Sequence, residues 1–576
     1  MPNVGRPSKG CKHCRDRKVK CDQKRPSCSQ CIRAGKVCFG YRDPLSMMFK
    51  NESDVVAKKA EKRYEVLAKQ NAPPSSTKKE PLLPERTTSE AWESNFGWLN
   101  QNGSTHVVHT RYPTPESMIR EIVPSIEDQA LGFFIGNYVA QPTFVPRGQF
   151  EWVTELLAQP VTEDILRHSV NAATLAGFAN ATKSPSIMKQ AQTAYVSALR
   201  LTNSALRFKE SAVRDSTLIS VIMLGMYENF VFQDRRSISA WAKHVDGASA
   251  LLNLRGKEQF RGNLGRRLFH QFYGVIMLVA LETGRPVHQG IHDLYQIMTP
   301  TSDYSIHGRA WTTRLVDVMH AGINLNRDND ADPKTMVIAA MNLDREIDEI
   351  NALMPSVWDF EVVHLEQSSE HLHGKVYHIY LDPWIAQMWN NVKSCRLCLF
   401  KIVRENLNKG WAQHDPPLFT QNEYEAVKST AEEISRCTVA EIVASVPQII
   451  GMVPFPDVDT ARRRASDPNI DVTSPAHKIR PPGTFIDATR STHMLHLIWP
   501  LYAAAGLDLV TSEMRQWSIE ILHYIALRLG NRQAVVLADE LKEVQRTGIF
   551  TTPYADRTAV PTSPYNRLGR IITEEA

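Results

Sequence analysis

Six cysteines fall within the first 38 residues: Cys11, Cys14, Cys21, Cys28, Cys31 and Cys38. They spell C-x2-C-x6-C twice, the second copy 17 residues after the first. A segment of about 30 residues buries too little apolar surface to fold unaided. What joins these sulfurs therefore decides whether the segment has a structure at all. A disulfide framework would suit a small secreted domain. Against it stand an N-terminus, MPNVGRPSKG, without the apolar stretch of a signal peptide, and three further cysteines scattered through a long, ordinary chain. The basic run Arg15 to Lys20 between the sulfurs would have no role in a disulfide knot.

Metal binding fits better, and the number of sulfurs constrains how. Two separate tetrahedral zinc sites need eight ligand positions. Six thiolates fill them if two sulfurs each bridge both ions. Cys11 and Cys28 open their respective halves, so the internal repeat makes them equivalent and natural bridges. Cys14 and Cys21 then complete one site, Cys31 and Cys38 the other. Each C-x2-C pair sets two sulfurs about one helical turn apart, close enough for one ion. A short helix is expected after Cys11 and another after Cys28, because amides and the positive dipole end at a helix start favour thiolates. The expected cofactor is zinc, two ions per chain, supplying on the order of 10 kcal/mol of folding free energy.

A chain of 576 residues exceeds one core, so two or more domains are expected. The net charge of +5 is unevenly spread. Residues 1–42 hold twelve Lys/Arg against Asp16 and Asp22, while the remainder holds 55 basic and 60 acidic residues. A compact cationic module on an acidic body is the footprint of a polyanion partner. A solvated tail or a nuclear import signal would use the same residues but needs no rigid scaffold. RNA binding would want exposed aromatics among the basic residues; only Phe39 and Tyr41 are near, and both follow the last cysteine. Among polyanions, double-stranded DNA is the partner implied by the family resemblance of the cysteine segment given below. No stretch approaches 18 uninterrupted apolar residues, so no membrane span is expected. An intracellular, nuclear location follows from the partner.

The segment CKHCRDRKVKCDQKRPSCSQCIRAGKVC, Cys11 to Cys38, resembles the fungal binuclear zinc cluster transcription factors. The likeness rests on the spacing in both halves, the basic run, and Pro26 in the loop between them. It implies a sequence-specific regulator of transcription by RNA polymerase II. It also implies that the end of the first helix enters the major groove and reads a CGG triplet. Lys18 stands at the position of the family's base-reading lysine, and guanine presents N7 and O6 acceptors there. Arg17 is the next candidate for a base contact. Arg15 and Lys20 are candidates for phosphates, as are Lys24 and Arg25 near the loop. Asp16 departs from a purely basic helix and is read as a partner that orients Arg15 or Lys20. One module covers three base pairs, so a homodimer on two half-sites would normally supply the rest; monomer and dimer both stay open.

The chain divides into a zinc-cluster module at 9–42, a linker at 43–120, an all-α regulatory domain at 121–550 and a loose tail at 551–576. In the linker, Asp54 to Gln70 reads as a helix whose Ala57, Ala60, Tyr64 and Leu67 make either a short coiled-coil seam or one face of a lone marginal helix. Beyond it, Leu131, Phe134, Ile135 and Tyr138 begin a series of helical periodicities. They continue at about 162–180, 186–207, 213–231, 238–254, 265–283, 307–325, 333–353, 371–406, 421–446, 486–505, 510–529 and 533–546, with no convincing alternating strand. The fold class is thus a small binuclear zinc-cluster DNA-binding module followed by a large all-α domain of helices stacked in pairs. WAKHVDGASALLNLRG, Trp241 to Gly256, resembles a motif of the regulatory domain that follows many fungal zinc clusters. Its Trp241, His244, Val245, Ala248, Leu251 and Leu252 share one face, read as packed core, with Gly256 as the C-cap. The body is expected to receive a small-molecule effector or a coregulator.

Residues 453–485, with six prolines and Arg462 to Arg464, read as a mobile insertion. Within it, Arg463-Arg464-Ala465-Ser466 looks like a basic-directed kinase site. An enzymatic reading would rest on Cys395 and Cys398, a lone C-x2-C. Redox dithiols of that spacing usually follow a strand, whereas this pair lies in a helical pattern and reads as structural. No P-loop, dinucleotide Gly-rich turn, His-Glu-x-x-His helix or nucleophile elbow appears, so no enzyme is expected.

Overall fold

The computed structural model describes residues 11–22, 24, 27–38 and 124–548, apart from 141–147, 158–162, 299–308, 328–330, 355, 468, 473–477 and 487–490. The linker helix expected at 54–70, the tail, Arg25 and Pro26 lie outside the described residues.

Residues 124–548 fold mainly as helices, and their starts are written in the sequence. Ser125 accepts from the Asp128 amide at 3.0 Å. Ser184, Asp332 and Asp382 each cap a helix whose first residue is proline, a position that needs no amide donor. Thr420 and Glu423 form a reciprocal capping box at the start of Gln421–Ile449. At the other end, Gly530 (φ 63°) stops Ser512–Leu529. A side chain there would also collide with the Gly177 carbonyl, so glycine is required for conformation and for close approach.

Most periodicities become helices within a few residues of their expected limits, among them Asp164–Ala181, Asn263–Thr283, Gln421–Ile449 and Arg532–Thr547. Successive helices pack as pairs: Asp164–Ala181 on Pro185–Ala205, Pro333–Ala352 on Pro383–Ala412, Ser512–Leu529 on Arg532–Thr547. One continuous core runs from Ala130 to Leu541. Its ends meet. Tyr138 donates to the Leu529 carbonyl at 2.6 Å, and Asn180 donates to the carbonyls of Phe230 (2.6 Å) and Gly530 (2.8 Å). Arg235 pairs with Glu540 at 3.0 Å.

Three expectations need correction. The pattern at 371–406 is not one helix: Val376–Tyr380 is a strand, paired antiparallel with Phe360–His364 in the register Phe360↔Tyr380. The sequence VYHIY is rich in β-branched and aromatic residues, and the helix Pro383–Ala412 starts only at Pro383, capped by Asp382. The stretch 486–505 divides into a 3-10 turn, Ser491–Leu497, and the α-helix Ile498–Gly506. The described residues of the proline-rich stretch 453–485 are built into the fold. The stretch carries the helix Val458–Ser466, capped by Asp457, and it buries Val453, Phe455, Ala461 and Val472. Its prolines flank that helix instead of interrupting it. Trp152–Leu157 and Gln289–Met298 are additional helices.

The Trp241 to Gly256 segment lies within the helix Arg235–Arg255, closed by Gly256 at φ 58°. Trp241, Val245, Ala248, Leu251 and Leu252 are buried as expected. His244 faces Glu228 at 3.7 Å, and Tyr195 donates to the same carboxylate at 2.7 Å. Burial opposes the Glu228 charge, but His244 and Tyr195 outweigh it and hold the carboxyl below its usual range. Cys395 is buried, Cys398 half-buried and Cys437 exposed, and none is in a disulfide. No helix of the described residues is long and apolar enough to cross a membrane.

Candidate metal centre and nucleic-acid interface

The two short helices of residues 11–38 are Lys12–Asp16 and Ser29–Arg33, each directly after the first cysteine of its half. Cys28 caps the second, its sulfur accepting from the Cys31 amide at 3.4 Å. The two helices also end alike. After the first, the Val19 amide donates back to the Cys14 carbonyl at 2.9 Å and Lys18 takes φ 54°. After the second, the Lys36 amide donates to the Cys31 carbonyl at 3.0 Å and Gly35 takes φ 61°. This is one helix-ending turn used twice, its left-handed residue three positions before the third cysteine of each half: Lys18 in the first, Gly35 in the second.

That turn places the sulfurs. Cys11, Cys14, Cys21 and Cys28 form one quartet and Cys11, Cys28, Cys31 and Cys38 another, all ligand atoms of each within 4.8 Å of one another. The two residues common to both are Cys11 and Cys28. Sulfur separations are 3.7 Å for Cys11–Cys28 and 3.6 Å for both Cys11–Cys31 and Cys14–Cys28. A tetrahedral zinc site with Zn–S of 2.3 Å requires about 3.8 Å between sulfurs, whereas a disulfide requires about 2.05 Å. The spacing fits metal ligation and excludes disulfides. Burial pushes the Cys14 thiol well up and the Cys31 thiol up to about 12. Thiols packed this closely ionise only with a cation among them, which is the chemistry a divalent, thiophilic ion supplies.

The basic residues sit on this scaffold in a way the sequence does not predict. The first helix ends inside the basic run, at Asp16. Lys18 lies in the turn beyond it, in a conformation that costs a non-glycine residue about 1–2 kcal/mol. Arg17, Lys18, Lys20 and Lys24 are exposed. Arg15 belongs to the helix, and Arg25 lies outside the described residues. Among the described residues Asp16 makes no ion pair with Lys20, so the orienting role expected for it toward that residue is not present.

Asp22 was missed. It accepts from the Ser29 amide at 3.1 Å and from the Ser29 hydroxyl at 2.5 Å. Those hydrogen bonds, the hydroxyl's foremost, hold its carboxyl below the usual range. Asp22 follows the last cysteine of the first half and Ser29 opens the helix of the second, so this contact ties the halves together without a sulfur. The available signal was an acid in a basic module directly after a cysteine.

Comparison with known proteins agrees with this geometry. Residues 9–47 match the fungal Zn(2)-Cys(6) binuclear cluster domain, and residues 149–321 match the fungal specific transcription factor domain. Over 34 residues the chain is 50% identical to white-opaque regulator 2 of Candida albicans (strain SC5314 / ATCC MYA-2876), a stretch that covers 6% of this chain and 8% of that relative. No solved structure matches. The second match ends inside the helical core, which continues to Leu541. The chain is therefore similar to a fungal Zn(2)-Cys(6) binuclear cluster domain over residues 9–47, where its cysteines are arranged for zinc, and to a fungal specific transcription factor domain over residues 149–321.

Proposed function

We propose that this protein is a nuclear, sequence-specific regulator of transcription by RNA polymerase II that reads CGG-type half-sites in double-stranded DNA. In this reading Cys11 and Cys28 bridge two zinc ions, Cys14 and Cys21 complete one site, and Cys31 and Cys38 complete the other. The ions supply the cross-links that a module of this size lacks. The observation that carries the proposal is Lys18, a long cationic side chain kept in a left-handed turn where the repeat has glycine. A position that tolerates strain to keep its side chain is a candidate for contact with a partner. From there the ammonium of Lys18 donates to guanine N7 and O6, with Arg17 beside it. Arg15, Lys20, Lys24 and Arg25 neutralise phosphates, which sets affinity and salt dependence without sequence preference. The helical body acts as the regulatory part, through a small-molecule effector or a coregulator. Two modules on two half-sites make a homodimer the expected bound form.

Selection from random duplexes with the zinc-loaded full-length chain tests this. CGG triplets should be enriched, and Lys18→Ala should lose about 1–3 kcal/mol of discrimination while nonspecific binding holds. Enrichment of an unrelated sequence, or an unchanged preference in the Lys18 variant, would refute the assignment.

A further inference from the structure

Ser466 is the last residue of the helix Val458–Ser466, and the chain leaves it extended at Asp467. The Ser466 hydroxyl is exposed and, among the described residues, donates to the Arg462 carbonyl at 3.2 Å. Three arginines precede it, with different commitments. Arg464 is half-buried and fixed: it pairs with Glu361 of the strand Phe360–His364 and donates to the Ile470 carbonyl at 2.6 Å. Arg462 and Arg463 are exposed. Arg462 reaches Asp459 at 3.5 Å, and Arg463 donates to the Thr460 hydroxyl at 3.0 Å. Residues three and four apart share a helix face, so the two loosely held guanidinium groups are the ones beside the Ser466 hydroxyl. The third fastens the helix to the rest of the body.

We propose that Ser466 is a phosphoacceptor for a basic-directed protein kinase, and that its phosphate is then held by Arg462 and Arg463. The kinase reads Arg463, the exposed arginine three residues before the serine. Ser466 Oγ attacks the γ-phosphorus of ATP, a new O–P bond forms, the bond to the β,γ-bridging oxygen breaks, ADP leaves, and the hydroxyl proton passes to the kinase's base. Kinases take extended substrates, and a hydroxyl on the final helical residue is exposed by fraying of one turn. The product carries about −1.5 to −2 charges at pH 7. A phosphate at a helix C-terminus opposes the dipole, but charge-assisted bonds to two guanidinium groups are the stronger effect. The clamp leaves Arg464 on Glu361, so the segment becomes less cationic while its attachment to the strand is kept.

The test treats the full-length, zinc-loaded chain with ATP and the catalytic subunit of cyclic-AMP-dependent protein kinase, then maps the modified residue by tandem mass spectrometry. One phosphoryl group should appear on Ser466, and Ser466→Ala should lack it. Arg463→Ala should slow incorporation roughly tenfold or more, and the circular dichroism of both variants should match the parent. Trypsin cleavage after Arg462 and Arg463 should slow severalfold in the phosphorylated chain, because the guanidinium groups are occupied. Incorporation elsewhere with Ser466 unmodified would overturn the acceptor assignment, as would an unchanged rate in Arg463→Ala. Unaltered trypsin cleavage after phosphorylation would overturn the clamp.

Discussion

In residues 11–38 the deepest side chains are Cys11, Cys14, Cys28 and Cys31, while Ile32 and Val37 stand 66% and 75% exposed. In residues 124–548 the largest fully buried side chains are Trp152, Trp358, Tyr138 and Tyr273, and the core is aliphatic and aromatic throughout. The smaller region spends its few apolar residues on the surface and orders itself around sulfur. The larger orders itself by removing apolar surface from water. The contrast assigns different vulnerabilities: the first should depend on metal and not on hydrophobic packing, the second the reverse.

The largest expected effect follows directly. Chelation of the full-length chain should remove on the order of 10 kcal/mol from the cysteine module. Hydrogen exchange should then show residues 11–38 unprotected and DNA binding abolished, with Asp164–Ala181 and Gln421–Ile449 still protected. Equal loss in both regions would break the comparison.

A second, smaller effect concerns the body alone. Lys393 is buried between the hairpin and the helix Gln421–Ile449. Its Nζ donates to the Tyr380 hydroxyl at 3.1 Å and the Glu441 carbonyl at 3.3 Å, and it faces the Phe360, Tyr380 and Trp389 rings. His378 contacts the same tyrosine oxygen through Nδ1 at 3.0 Å, and burial, helped by Lys393, pulls its pKa down to about 3. Burial lowers the Lys393 pKa to about 8, against a partial opposing pull from Glu441. The folded state thus binds fewer protons than the unfolded state between pH 8 and about 10.4. The penalty for the buried charge is fully present below pH 8 and is relieved as pH rises through that window, by up to roughly 3 kcal/mol. Denaturant midpoints should rise from pH 7.5 to 9.5 in the parent, and this rise should shrink in Lys393→Met. A parent midpoint that falls over the same interval would contradict the burial argument.

The smallest effect separates fold from recognition inside the module. Lys18→Gly should relieve the left-handed turn, as Gly35 does in the repeat, and stabilise the zinc-loaded module by up to about 1 kcal/mol. It should also lose the proposed preference for CGG. A destabilised variant would show that Lys18 serves the fold.

The two regions also differ in how much their sequences reveal. The sulfur arrangement was legible because ligand number is an integer constraint: six sulfurs, two tetrahedra and an internal repeat leave Cys11 and Cys28 as the shared pair. The turn at Lys18 was not, because nothing about a lysine announces a left-handed backbone; only Gly35, one repeat later, hints at it. Asp22 escaped because its partner is a backbone amide and a serine, neither of which carries a charge signal. In the body, helical periodicity and caps gave most elements. The strand Val376–Tyr380 was absorbed into the neighbouring helix because five residues carry too little alternation to outweigh the long amphipathic pattern after them. The helix Val458–Ser466 was hidden by its composition: Ala461 is its one buried residue, so no apolar face advertised it, and Arg464 holds it through ion pairing.

The central claim is that two shared sulfurs allow six cysteines to hold two ions. Reconstitution of the chelated chain with zinc, followed by elemental analysis after desalting, tests it most directly. Two equivalents of zinc per chain should be bound, falling in parallel with module folding when Cys11 or Cys28 is replaced by serine. One equivalent, or three, in the parent chain would contradict it.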